Sequence, residues 1–116
     1  MTATFAQFQA EQDARNTLQL NVTNWSLMLI DALEHDAPSD YRFEMVSGNK
    51  YYKIVMTDVN GNHRSVHCFI NRKTGEVYKS ASWSAPAKGV RYDLRIINQR
   101  EAILADCDWA GSYLYR

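Results

Sequence analysis

The residues with the most chemistry in this chain lie between Gly75 and Arg95. Lys79, Lys88, Arg91 and Arg95 are cationic, and Tyr78, Trp83 and Tyr92 stand among them. Cations set beside aromatic faces suit a planar, anionic ligand such as a nucleotide: guanidinium groups fork onto phosphates and rings stack on a base. Arg91 and Arg95 are four residues apart, so a helix over Lys88–Ile97 would set both on one face, one turn apart, as a phosphate clamp. Gly89 argues against such a helix at its start. Arg64, at the head of a predicted strand, offers a further planar cation, and Thr74 offers a hydroxyl. The competing reading is structural: a tryptophan near a strand end is commonly core, and surface Lys and Arg are commonly only solvated.

Catalytic patterns are sparse. Cys68 and His67 are neighbours on a predicted strand, so alternation sends them to opposite faces and disfavours a thiol–imidazole couple. There is no Gly-x-Ser-x-Gly elbow and no Gly-rich phosphate loop. His35, His63 and His67 lack metal-ligand spacing; His63 and His67 share a strand side but bring no placed carboxylate, whereas a closed zinc site wants about four ligands. The expectation is therefore binding rather than catalysis, with no metal and no cofactor.

The 116 residues carry 13 basic and 13 acidic side chains, a formal net charge of zero. That weighs against a strongly basic nucleic-acid binder. The charge is unevenly placed. Residues 1–40 hold Glu11, Asp13, Asp31, Glu34, Asp36 and Asp40 against Arg15, whereas residues 63–95 hold seven basic groups against Glu76 and Asp93. An anionic ligand is drawn to the second half. The sequence predicts no membrane span and no signal peptide, hence a cytoplasmic protein, with Cys68 and Cys107 as free thiols.

These side chains need a scaffold, and the chain supplies an α+β pattern in a single domain, 1–116. Leu18, Val22, Trp25, Leu29 and Leu33 recur at helical spacing within a helix predicted over 3–35. Leu20, Leu27, Met28 and Ile30 widen that stripe, so the helix is expected to bury one side on its own sheet and another on a partner chain, making residues 1–36 an oligomerisation segment. Asn21, Thr23, Asn24 and Ser26 are weak helix formers, so a break near Asn21–Asn24 is possible, with Thr23 or Asn24 capping a second helix. Pro38 ends the helical region.

Residues 41–83 read as four antiparallel strands in a meander: Tyr41–Val46, Lys50–Asp58, His63–Ile70 and Glu76–Ser82. Asn60-Gly61 marks the second turn. On the second strand Tyr52, Ile54 and Met56 share one face and Tyr51, Lys53, Val55 and Thr57 the other. Residues 84–116 hold the ligand-binding turn and short C-terminal helices, the last over Glu101–Trp109 with Ile103, Leu104 and Cys107 inward and Gly111 as its stop. The end, Tyr113–Arg116, is expected to pack on the sheet or on a neighbouring subunit.

The string Lys73-Thr74-Gly75-Glu76-Val77-Tyr78-Lys79-Ser80-Ala81-Ser82-Trp83-Ser84-Ala85-Pro86-Ala87-Lys88-Gly89-Val90-Arg91-Tyr92 resembles a signature of small proteins of tailed bacteriophages, cyanophages among them. The ending Asp108–Tyr115 looks like the endings of the same group, and the match covers roughly residues 50–116. Within that group the layout is similar to the Thoeris anti-defence family of viral sponge proteins. The resemblance implies N-terminal helices that assemble a homo-oligomer, a dimer or hexamer, and pockets at subunit interfaces. It implies capture, without cleavage, of cyclic ADP-ribose isomers made by bacterial TIR-domain immune enzymes, and in some members of cyclic oligonucleotides. By that resemblance Arg91 and Arg95 hold phosphates, Thr74 stands where a polar turn residue is expected, and Arg64 stands where an aromatic would stack the base. Trp83 is expected to buttress the turn that presents the arginines, with Lys88 beside them. The rival readings are a phage nucleic-acid-binding protein and an inhibitor that binds a host protein.

Overall fold

A computed structural model describes residues 4–115 of the chain. A long helix α1 (Phe5–Asp36) is followed by β1 (Tyr41–Ser47), β2 (Tyr51–Asp58), β3 (Ser65–Asn71), β4 (Glu76–Lys79), the short β5 (Tyr92–Asp93), helix α2 (Ile97–Asp106) and one 3₁₀ turn (Ser112–Leu114). The strands lie in chain order in one antiparallel sheet, so the fold is α+β, with five strands where the sequence predicts four.

Helix α1 opens with a reciprocal cap: Gln7 N–H donates to Thr4 Oγ1 at 3.1 Å and Thr4 N–H donates to Gln7 Oε1 at 2.9 Å. It runs unbroken through Asn21–Asn24, as one helix and not two. The hydroxyls of its weak helix formers bond back along the helix, Thr23 to Gln19 O at 3.0 Å and Ser26 to Val22 O at 2.7 Å. Burial decides the matter. Poor helix formers cost up to about 0.7 kcal/mol each, while burying Leu29 and Leu33, both fully enclosed, is worth roughly 1.5–3 kcal/mol apiece. Thr23 Oγ1 also lies 2.6 Å from Tyr52 Oη, tying the helix to β2.

One face of the sheet meets α1. Phe43, Tyr52, Ile54, Cys68, Ile70, Val77 and Tyr92 form the core with Val22, Leu29 and Leu33, and Leu94, Ile103, Tyr113 and Leu114 close it. By alternation Glu44, Tyr51, Lys53, Phe69 and Tyr78 belong to the opposite, outer face. The second turn is longer than a two-residue hairpin: six residues separate β2 from β3, with Asp58 Oδ1 accepting from Asn60 N at 2.9 Å and Asn62 N at 2.8 Å.

The segment Lys88–Ile97, where a helix would have set Arg91 and Arg95 on one face, instead adds β5 to the open edge of β4, with Arg91 N–H donating to Val77 O at 2.7 Å and Leu94 N–H to Gly75 O at 2.9 Å. Tyr92 and Leu94, each at most 3% exposed, anchor it. Helix α2 begins four residues earlier than expected and ends at Asp106; Gly111 opens the 3₁₀ turn rather than closing α2. Ile103 is buried, and Leu104 and Cys107 pack partly against the core. Tyr113 and Leu114 are buried as expected and Tyr115 is exposed; Arg116 and residue 3 of the predicted helix lie outside the described residues.

Candidate functional site

After β4 the chain turns back through Ser80–Pro86, where Ala81 and Ser82 N–H groups donate to Ala85 O at 3.0 and 3.1 Å and Ala87 N–H returns to Lys79 O at 2.7 Å. Trp83 sits at the tip of this excursion with 47% of its surface exposed. Lys53 Nζ lies 4.6 Å from the Trp83 ring centre and the Arg64 guanidinium carbon 5.5 Å from it. Arg64 also pairs with Glu44 of β1. Beneath them, Lys53 Nζ lies 5.8 Å from the Phe69 ring, and Tyr51 meets Phe69 and Tyr78 edge-on at 5.7 and 6.0 Å. A hollow of about 220 Å³ adjoins this surface, walled by Lys50, Tyr51, Lys53, Phe69 and Ser84. Two cations thus lie over the ring of Trp83, which is half exposed at the tip of the turn, and Lys50 lines the adjoining hollow.

Arg64 and Trp83 therefore come together, joined by Lys53, which sequence reasoning missed, as it did Lys50 of the adjoining hollow. The signal for Lys53 was present: it shares the outer face of the clearest strand with Tyr51. What linked it to Trp83 was not local.

Thr74 and Arg95 fall in a second group at the β4–β5 edge, where Glu76 faces Asp93. Thr74 Oγ1 donates to Glu76 Oε1 at 2.9 Å. Arg95 forks onto Asp93, Nε to Oδ1 at 3.1 Å and Nη2 to Oδ2 at 2.7 Å. That hydrogen bonding holds the Asp93 carboxyl below its usual range and raises Arg95 further. Arg95 Nε and Nη2 and the Thr74 hydroxyl are thus already engaged within the protein. Arg91 precedes β5, and its Nη1 lies 3.1 Å from where a Cβ on Gly89 would stand. Because the intervening chain includes strand β5, at ~3.3 Å per residue rather than a helix's 1.5 Å, Arg91 and Arg95 do not share a helical face. Lys88 is exposed in the loop.

The imidazole–thiol geometry also differs from simple alternation. Ile54 lies opposite Cys68 but Val55 opposite Val66, so His67 is the extra residue of a bulge. Its ring turns to the core side, 5.3 Å from Phe43 and edge-on, with Nε2 at 2.7 Å from Tyr113 Oη. Burial lowers His67 to about 4, with Asp108 pulling the other way. Burial also raises the Cys68 thiol well above its ordinary value. A fully buried neutral thiol beside a neutral imidazole is poorly set for nucleophilic chemistry. His63 is exposed near Asp58, and no group of three or more His, Cys, Asp or Glu converges among the described residues. Nor, among them, is any helix long and apolar enough to cross a membrane.

No curated protein and no solved structure matches this chain. One family, described only as of unknown function, matches residues 5–116. With nearly its whole length inside that match, the chain belongs to the family DUF7717.

Proposed function

We propose that this protein captures a planar, anionic ligand of the cyclic-nucleotide class without cleaving it, on the outer face of the sheet around Trp83. The observation that carries the reading is the half-exposed indole with Lys53 at 4.6 Å and Arg64 at 5.5 Å. Bases stack on such rings and phosphates pair with such cations. The Arg64–Glu44 pair is half exposed on both sides, and pairs of that kind are worth only ~0–1 kcal/mol, so a phosphate can displace the carboxylate. Arg95, paired with the less exposed Asp93, supports the β5 turn in this reading rather than the ligand. With the phage-protein resemblance, this supports an anti-defence sponge that acts in the host cytoplasm, assembled as a homo-oligomer through α1, with a cyclic ADP-ribose isomer or a cyclic oligonucleotide as cargo.

Native mass spectrometry with a panel of those ligands tests it. A discrete mass gain is expected, with intact ligand released on heating. Trp83→Ala should weaken binding by roughly 5- to 150-fold, the equivalent of about 1–3 kcal/mol of stacking, and the Lys53→Ala/Arg64→Ala pair should abolish it. Cleaved product would make the protein an enzyme. Salt-sensitive binding of single-stranded DNA, with no gain from cyclic ligands, would replace the sponge by a nucleic-acid binder.

A further inference from the structure

A second recess, with none of Trp83, Lys53 and Arg64 in its lining, lies on the side of the sheet to which His67 turns. It has a volume of about 390 Å³ and is lined by His67, Lys79, Ser80, Trp109, Gly111 and Tyr115 among others. Three features of the chain make it. The bulge at His67 brings that ring to the side occupied by Cys68. The 3₁₀ turn lays Tyr113 against His67. Gly111, buried and at φ +84°, brings the backbone of the turn against the imidazole, its Cβ position lying 3.6 Å from His67 Cε1 and 3.9 Å from its Nδ1.

We propose that this recess is a separate ligand site for a small aromatic molecule carrying one anionic group. Its size sits near the lower end of the ~300–1,000 Å³ typical of small-molecule sites, which suits one ring system and not a cyclic dinucleotide. Lys79 supplies the charge. Its Nζ lies 4.5 Å from the Tyr115 ring centre, and among the described residues it forms no ion pair. One lysine is a point charge that takes a carboxylate or a phosphate. Trp109 and Tyr115 supply ring faces. The indole of Trp109 is held in advance, stacked on Tyr41 at 5.3 Å and 25°, with its backbone N–H donating to Asp36 Oδ2 at 3.0 Å. Two polar groups remain to orient a ligand. His67 spends Nε2 on Tyr113, and Nδ1 has no hydrogen bond among the described residues. Ser80 Oγ donates to Val66 O at 3.0 Å and keeps its lone pairs. A preorganised wall of this kind lowers the ordering cost of binding.

The test is a titration of the full ¹⁵N-labelled chain followed by NMR, with indole-3-acetate as the carboxylate probe and adenosine 5′-monophosphate as the phosphate probe. Saturable shifts of the Gly111 and Trp109 amides with at least one probe are expected, and the responding probe identifies the anion. Lys79→Met and Tyr115→Ala alter exposed or half-exposed side chains, so a dispersed spectrum with unchanged core resonances verifies their fold. Lys79→Met should weaken the responding probe at least 10-fold, whereas Trp83→Ala should leave it unchanged. The proposal is overturned if neither probe shifts these amides at millimolar concentration, or if Lys79→Met binds as tightly as the parent chain. Because Trp83→Ala removes only the outer-face platform, failure here and failure of the cyclic-nucleotide reading are separately visible.

Discussion

His67 is the residue whose surroundings most alter its ordinary chemistry. It packs against Phe43 and Tyr113, with Asp108 near enough to favour its charge and burial strong enough to override that, which lowers it from 6.5 to about 4. In the unfolded chain the imidazole takes up a proton near its ordinary value. Between those limits the unfolded state holds more protons, so stability falls as pH drops from about 6.5 to 4, by about 3 kcal/mol in all. Below that window Asp93 and Asp108, both held under the usual carboxylate range, add losses of the same sign. His35 acts elsewhere: its bond to the Asp31 carbonyl raises it, so its contribution is lost only as pH rises above 6.5. Urea midpoints at pH 7, 5.5 and 4.5 should fall steeply for the parent chain and much less for His67→Gln, which can keep a bond to Tyr113. Equal slopes for both proteins would show that burial of this ring is not the cause.

At the scale of the elements, the decisive contact is between turns rather than within helices. Gly75 is buried between β3 and β4 at φ +80°, where an added Cβ would stand 3.4 Å from both Leu94 Cβ and Val22 Cγ2. The left-handed backbone alone costs a non-glycine residue ~1–2 kcal/mol, and the tight fit against α1 and the β5 segment adds to it. Gly61 has the same backbone sign, φ +79°, with nothing within 4 Å of the Cβ position. Gly75→Ala should therefore lower the urea midpoint distinctly more than Gly61→Ala; matching losses would mean that only the backbone term counts. The strand order, the face of β2 that carries Tyr52 and Ile54 and the stripe on α1 were legible because each depends on neighbours a few residues apart. The start of α2, the strand pairing of Tyr92–Asp93 and the bulge at His67 were not, because an open β4 edge, a buried Leu94 and a facing Tyr113 set them from outside the segment.

The whole molecule is elongated, 55 × 27 × 25 Å, because α1 outruns the sheet it packs on. Residues 4–17 are exposed throughout, Phe5 at 81% and Phe8 at 51%, and Leu20, Leu27 and Met28 also face outward farther along. An isolated helix shorter than ~12–15 residues is marginal in water, so this projecting half is expected to be covered by a second copy of the chain. Sedimentation velocity should give an oligomer, and Phe8→Glu with Leu27→Glu should shift it to monomer while the sheet keeps its near-ultraviolet signal. A parent chain that sediments as a monomer at all concentrations would count against assembly through α1.

The sequence by itself determined the class of fold, the long helix and its apolar stripe, the meander order and the basic second half of the chain, since these follow from composition and from periods of two and 3.6 residues. It also singled out Trp83 and Arg64. Only the tertiary structure decided which cations meet that indole, that Arg95 forks onto Asp93, and that His67 turns inward to wall a recess. The physical reason is range. A period is written in adjacent residues, whereas Lys53 and Trp83, or His67 and Tyr113, are brought together by sheet register, a bulge and a returning terminus, which no local window contains.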